Sequence, residues 1–88
     1  MDILFDPDKN LRNIAARGLS FERAAELDWN SAKVFVDARH DYGETRRLAL
    51  ANLEDRLHAI VFTETEKGIR VISFRKANAR ERRIYEQA

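Results

Sequence analysis

The sequence predicts an α+β fold with two N-terminal helices, a four-stranded antiparallel sheet and a short C-terminal helix. Apolar residues recur at helical spacing as far as Ser31, and four runs rich in β-branched and aromatic residues follow, divided by turn-forming residues. The apolar residues 3–5 could add a short extra strand at the N-terminus. Because helices precede strands, we expect the helices to pack on one face of the sheet and to leave the other partly open.

The N-terminal part carries start and stop signals for two helices. Asp6 can cap a helix that begins at Pro7, and Gly18 suits the left-handed cap that ends it. Ser20 can cap a second helix, which we expect to end near Trp29. The residues expected to be buried are Leu11, Ile14 and Ala15 in the first helix, and Phe21, Ala24 and Ala25 in the second.

Four strands are predicted from the runs KVFVDAR, RRLALANL, RLHAIVFTE and IRVISFR. The turns between them are Asp41-Tyr42-Gly43, Glu54-Asp55 and Glu66-Lys67-Gly68. Strict alternation divides the fourth strand, residues 69–76, into two faces: Ile69, Val71, Ser73 and Arg75 on one, and Arg70, Ile72, Phe74 and Lys76 on the other. Apolar side chains on both faces indicate that this strand is central.

The last predicted element is a short helix. Asn78 followed three residues later by Glu81 has the pattern of a capping box, in which each side chain accepts the other residue's backbone N–H. The expected inner face of this helix consists of Ile84, Tyr85 and Ala88.

Length and composition narrow the class of protein. With 88 residues and no linker, the chain has room for one domain, residues 1–88. It contains no cysteine, which excludes a disulfide framework and a thiolate metal site. The N-terminus is acidic where a signal peptide needs a basic flank, and no apolar run approaches the ~20 residues of a membrane span. We therefore expect a soluble, cytoplasmic protein.

The net charge of +1 conceals an asymmetry between the two halves of the chain. Residues 1–44 hold six Lys or Arg against nine Asp or Glu, and residues 45–88 hold ten against six, which gives −3 and +4. The basic residues concentrate after the fourth strand, at Arg75, Lys76, Arg80, Arg82 and Arg83. Guanidinium donors at such a junction suit a phosphate backbone. Arg82 and Arg83 fit a solvated helix face better, whereas for Arg75 and Lys76 both interpretations stay open.

Other titratable groups give weaker signals. His40 and Glu44 lie in the polar segment DARHDYGETR, whose carboxylates and arginines are typical of ion pairs across a turn, or alternatively of a base beside phosphate-binding cations. His58 falls within the third strand and is more typical of a hydrogen-bonded, half-buried imidazole than of a base. Tyr85 could stack on a base, although an anchor to the core is the commoner role. Nucleotide-binding glycine loops, His-Glu-x-x-His patterns and serine-nucleophile elbows are absent from the sequence.

These segments together resemble the BrnT family of ribonuclease toxins, the toxin half of bacterial type II toxin–antitoxin pairs. The resemblance covers almost the whole chain and rests on the order and spacing of FDPDKN, GLSFERAAELDW, DARHDYGETR, DRLHAIVFTE and IRVISFRKANARERRIYE. It implies a RelE-like fold and a protein neutralised by a BrnA-type antitoxin. It also implies that operator DNA is bound only indirectly, through the antitoxin.

The chemistry that the resemblance implies is RNA cleavage without a metal or another cofactor. A general base would help the ribose 2′-hydroxyl to attack the adjacent phosphate, while cations stabilise the charge on the phosphoryl oxygens. Arg75 and Lys76, in the matching SFRKA segment, are the candidates for the electrostatic role, and Glu44 or His40 for the base. The candidates for RNA binding are Arg46, Arg70, Arg80 and Tyr85. The alternative is a non-catalytic module that binds an antitoxin or nucleic acid through the same basic surface.

Overall fold

The computed structural model describes residues 1–38 and 43–87. Its elements in chain order are strand β1 (Asp2–Leu4), helix α1 (Pro7–Arg17), two 3-10 helices (Phe21–Glu26 and Trp29–Ser31), strands β2 (Lys33–Asp37), β3 (Arg46–Leu53), β4 (Arg56–Glu64) and β5 (Gly68–Lys76), and helix α2 (Ala79–Gln87). In the described part of the chain the sheet has five strands, in the order β1-β5-β4-β3-β2. β1 is parallel to β5, and the other neighbours are antiparallel.

The predicted four-stranded antiparallel sheet is therefore wrong, because the sheet is five-stranded and mixed. β1 pairs in parallel with the first three residues of β5. Three apolar residues carry too little periodicity to indicate such a pairing, which joins segments far apart in sequence. Gly68 permits it, since a Cβ at this position would collide with the carbonyl oxygen of Asp2.

The predicted second α-helix is also wrong, because this segment forms 3-10 helices. Its backbone hydrogen bonds span three residues, as between the N–H of Leu27 and the carbonyl of Ala24 at 3.3 Å. The buried residues are accordingly spaced by three, at Phe21, Ala24 and Leu27, whereas Ala25 is exposed. The indole N–H of Trp29 donates to the same Ala24 carbonyl at 3.0 Å, so a side chain occupies the acceptor that ends the first 3-10 helix.

Helix α1 has the predicted ends but not the predicted inner face. Asp6 caps its start, and Gly18, with φ 65°, ends it in the left-handed conformation. The apolar stripe expected to be buried is exposed, with Leu11 64% accessible. The helix is held instead by Asn13, whose amide donates to the carbonyl oxygens of Leu19 at 2.9 Å and Phe74 at 3.0 Å. β1 pairs only with residues 68–70 of β5, whereas Asn13 binds the carbonyl of Phe74 further along the same strand. At this point a polar side chain takes the place of a strand partner.

A β-bulge in β5 changes which side chains share a face. Val61 pairs with Ser73, but its neighbour Phe62 pairs with Val71, which leaves Ile72 as an extra residue. Beyond this point the alternation along β5 is inverted. Phe74 therefore lies on the same face as Val71, contrary to the strict alternation predicted from the sequence.

The sheet separates two hydrophobic cores, one on each of its faces. The N-terminal core joins the 3-10 segment to one face and contains Leu19, Phe21, Ala24, Leu27, Ala49, Ala51, Leu53, Ile60, Phe62, Ile69, Val71 and Phe74. The α2 core on the opposite face contains Leu50, Leu57, Ala59 and Ala77, with Leu48 and Tyr85 packed against it. The two sides are called below the N-terminal face and the α2 face. The expectation that all helices share one face is wrong, because the 3-10 helices and α2 lie on opposite faces.

Substitution of Gly68 tests the close approach of β1 to β5. Gly68→Ala should lower the free energy of unfolding by about 2–3 kcal/mol, because the added methyl overpacks this contact. Gly18→Ala is the matched control, since no described atom lies within 4 Å of a Cβ there, and backbone strain of about 1 kcal/mol is expected. Urea unfolding followed by circular dichroism compares the two variants. Equal losses would contradict the close β1–β5 contact.

Candidate functional site

The capping box at the start of α2 is formed as the sequence predicts. The side chain of Asn78 accepts the N–H of Glu81 at 2.8 Å, and the Glu81 carboxylate accepts the N–H of Asn78 at 3.0 Å. Arg75 donates two further hydrogen bonds to this carboxylate, at 2.7 and 2.9 Å. Mainly because of the Arg75 hydrogen bond, the pKa of the Glu81 carboxyl is lowered, although burial acts in the opposite direction. A bidentate ion pair therefore fixes Arg75 to α2.

Three candidate arginines lie on the α2 face. Arg75 pairs with Ala59 of the α2 core. Arg46 lies four residues before Leu50 of the same core, and side chains an even number of residues apart share a face. Arg70 pairs with Thr63 of β4, which shares a face with Ala59 because it lies four residues after it. Strict alternation placed Arg70 and Arg75 on opposite faces, and this prediction is wrong because the bulge lies between them.

Glu44 joins two of these arginines at one end of the sheet. Its carboxylate accepts a hydrogen bond from Arg70 at 2.7 Å, and Arg46 approaches its other oxygen at 3.4 Å. Glu44 lies just before β3, Arg46 is its first residue, and Arg70 is near the start of β5. The structure thus brings these three predicted residues together, in the ion-paired arrangement that the sequence left open.

A groove of about 320 Å³ lies on the α2 face between β2 and α2. Leu48 and Val61 form an apolar floor, and Phe35 belongs to the β2 side. Arg75 and Arg80 line the side formed by the end of β5 and the start of α2. The groove is therefore apolar at its base, and its lining holds the arginines Arg75 and Arg80 together with the carboxylates of Glu81 and Asp37. Bases can pack on the apolar floor, and phosphates can accept hydrogen bonds from the arginines.

Lys76, the second catalytic candidate, points to the other side of the sheet. It pairs with His58 and lies in a separate depression with Arg17 and Arg23. Adjacent strand residues project to opposite faces, so Arg75 and Lys76 cannot contact one phosphate from the same side. The basic residues at the end of β5 therefore divide between two surfaces.

Tyr85 occupies an anchoring position between α2 and the sheet. Its hydroxyl donates to the carbonyl of Ser31 at 3.0 Å, and its ring packs against the α2 core. Lys33 donates to the carbonyl of Tyr85 at 2.6 Å and lies 4.8 Å from the ring centroid. These contacts tie the C-terminal helix to the start of β2. The neighbouring Ile84 lines the groove, and Ala88, also predicted on the inner face, lies outside the described residues.

Of the two histidines, His58 lies within the described residues. His58 is buried in β4, and its Nδ1 donates to the carbonyl of Arg56 at 2.8 Å. Burial is the main reason that the pKa of His58 is lowered, and nearby cations add to this effect. The imidazole is therefore neutral and structural at neutral pH. His40, a candidate base, lies outside the described residues.

Neither a metal site nor a membrane-spanning helix is found in the described part of the chain. Across residues 1–38 and 43–87, no group of three or more histidine or carboxylate side chains could hold a metal ion. In the same part of the chain, both α-helices are too short and too polar to cross a bilayer.

Three features of this surface were not predicted from the sequence. The groove depends on how α2 lies across the sheet, which no local pattern encodes. The pairing of Arg75 with Glu81 could have been suspected. The capping-box carboxylate lies at the start of α2, only six residues after the arginine at the end of β5, so the two side chains are close. The bulge at Ile72 carries no local signal, since Ile72 fits a regular strand equally well.

Burial of neutral His58 predicts a pH dependence of stability. Its pKa is lower in the folded than in the unfolded state, so the free energy of unfolding should fall as the pH drops below about 6.5 and the unfolded chain takes up the proton first. Chemical unfolding at pH 7 and pH 5 should show a smaller fall for His58→Gln than for the wild type. His40→Gln, which removes the chain's other histidine, is the control. An unchanged fall in His58→Gln would rule out this assignment.

Comparison with known proteins identifies the family. Residues 5–81 match the family described as "Ribonuclease toxin, BrnT, of type II toxin-antitoxin system". No curated protein and no solved structure gives a match. The matched segment runs from the residue before the Asp6 cap to Glu81 and includes β2 to β5. The chain therefore belongs to the BrnT family of ribonuclease toxins of type II toxin–antitoxin systems.

Proposed function

We propose that the chain is a metal-independent endoribonuclease that cleaves cellular RNA in the cytoplasm and thereby inhibits translation and growth. Family membership supports ribonuclease activity in general. The observation that carries the site is the gathering of Arg46, Arg70, Arg75 and Arg80 on the α2 face, beside a groove with an apolar floor.

In this reaction the nucleophile belongs to the RNA itself, so the protein contributes proton transfer and positive charge but forms no covalent bond to the substrate. The 2′-oxygen forms a bond to the adjacent phosphorus, the bond from phosphorus to the 5′-oxygen breaks, and the products end in a cyclic phosphate and a 5′-hydroxyl. One proton leaves the 2′-hydroxyl for a base, and one must reach the departing 5′-oxygen. Negative charge grows on the phosphoryl oxygens meanwhile, and guanidinium groups held in place stabilise it without further reorganisation.

Arg75 is the residue best suited to that role. Its bidentate bond to Glu81 fixes the guanidinium at the groove before RNA arrives, which removes part of the entropy cost of positioning it. Arg46 and Arg70, at the other end of the same face, would hold the RNA backbone, with Glu44 orienting both. Glu44 or His40 would act as the base. Lys76 lies on the opposite face, so its role would be separate from that of Arg75.

The partner that would neutralise this activity is a BrnA-type antitoxin. A type II family implies a protein antitoxin. Arg75 and Arg80 at the groove could pair with an acidic segment of such a partner, which would compete with RNA for the same arginines.

Binding without cleavage is the second candidate function. The observation in its favour is that Glu44 and Glu81 already accept hydrogen bonds from the arginines that would contact phosphate. Incubation of naked RNA with the purified protein in EDTA separates the two functions. Cleavage supports the nuclease, whereas retarded but intact RNA supports the binding module.

Arg75→Ala should reduce RNA cleavage by about 10²–10³-fold, the loss typical of removing one donor that stabilises a transition-state oxyanion. Because this variant also leaves Glu81 unpaired, Arg75→Ala/Glu81→Ala serves as its control. The double variant should remain as inactive as the single one. Recovery of cleavage in the double variant would mean that the single variant loses activity because Glu81 is left unpaired, and that Arg75 does not stabilise the transition state.

Adjacent arginines on β3 provide a matched pair for RNA binding. Arg46→Ala should weaken binding and make its dependence on salt shallower by about 0.7 in log–log slope, as expected for one lost phosphate contact with a single strand. Arg47 is paired with Glu64 at 3.2 Å but lies on the N-terminal face, opposite Phe62. Arg47→Ala should leave affinity and slope unchanged in a fluorescence anisotropy titration. Equal effects of the two substitutions would exclude the α2 face as the binding surface.

A further inference from the structure

The two edge regions of the sheet differ in how far their backbone groups are covered. On the β5 side, β1 and the Asn13 amide cover the edge. On the other side β2 is the outermost strand, and no described segment pairs with its outer edge. The middle of β2 is apolar and exposed, with Val34 47%, Phe35 38% and Val36 59% accessible. An apolar edge of this kind, with backbone N–H and C=O groups directed outward, is a template for another strand.

The sequence of β2 is complementary to itself in one orientation. Its five residues are Lys33-Val34-Phe35-Val36-Asp37. If two copies pair antiparallel around Phe35, Lys33 of each copy lies across from Asp37 of the other. Val34 then lies across from Val36, and the two Phe35 side chains meet at the two-fold axis. Opposite charges and paired apolar side chains are the favourable cross-strand combinations.

Other registers lose this complementarity. A shift that keeps the faces moves each strand by two residues, which places Lys33 across from Phe35 and shortens the pairing. A parallel arrangement would place Lys33 beside its own copy, and like charges directly opposite are destabilising. The antiparallel register needs only opposite charges at the two ends of β2, which Lys33 and Asp37 supply. The ammonium of Lys33 has three N–H donors, so it can keep its bond to the Tyr85 carbonyl in the paired state.

We propose that β2 pairs with β2 of a second copy, so that two five-stranded sheets join into one continuous sheet with two-fold symmetry. The axis is perpendicular to the sheet, so both α2 faces lie on the same side. Phe35 of each copy lines the groove, and the pairing places the two grooves side by side. The arginines of both copies thus border one longer surface. The pairing itself does not depend on ribonuclease activity.

Two double variants at exposed positions test this pairing. In the proposed register, residue 34 of one copy faces residue 36 of the other. Val34→Lys/Val36→Lys puts like charges across the interface and should raise the dimer dissociation constant at least about tenfold. Val34→Lys/Val36→Glu puts opposite charges there and should retain the dimer. Circular dichroism checks that both variants keep the fold.

Sedimentation velocity over the micromolar range measures the association of the purified chain. The wild type and the Lys/Glu variant should sediment at twice the monomer mass of 10.3 kDa, and the Lys/Lys variant at the monomer mass. A monomeric wild type at all concentrations would overturn the proposal, as would a Lys/Lys variant that dimerises like the wild type. If the wild type is monomeric and the Lys/Lys variant fails to bind the antitoxin, the edge belongs to the antitoxin instead.

Discussion

The pairing of β5 with β4 contains one residue, Ile72, that has no partner across the strands, and much of the molecule depends on it. Before the bulge, β5 directs Val71 into the N-terminal core, and after it Phe74 enters the same core. If Ile72 were instead paired regularly with Val61, Phe74 and Arg75 would exchange faces. An arginine would then be directed into the N-terminal core under the 3-10 segment, where burying a charge is costly. The bulge thus satisfies the core and places Arg70 and Arg75 on one face.

Carboxylates then set the geometry of that face. Glu44 holds Arg70 and Arg46 at one end, and Glu81 holds Arg75 at the other. Glu81 also caps α2, so the same residue starts the helix and orients the arginine. The near-neutral net charge of the chain therefore hides an ordered cationic surface. This arrangement suits electrostatic catalysis, in which the positions of charges matter more than their number.

Local signals in the sequence predicted the caps and the strands, but not the 3-10 helices that stand in place of the predicted second α-helix. The caps at Asp6 and Gly18, the capping box at Asn78 and the strand runs have causes within a few residues, so a single sequence reveals them. The parallel pairing of β1, the exposed face of α1 and the bulge arise from contacts between distant segments. Composition and the family resemblance indicated which arginines could contact phosphate, since arginines at a strand end suit a phosphate backbone. Which of them share a face did not follow, because one unpaired residue inverts the alternation.

Nuclear magnetic resonance can show directly which face of the folded protein binds RNA. An RNA oligonucleotide methylated at its 2′-oxygens binds without being cut, because it lacks the attacking hydroxyl. If RNA binds the α2 face, the signals of Arg46, Arg70 and Arg75 and of the first turn of α2 should shift. Shifts confined to the opposite face, around Arg23 and Lys76, would contradict it.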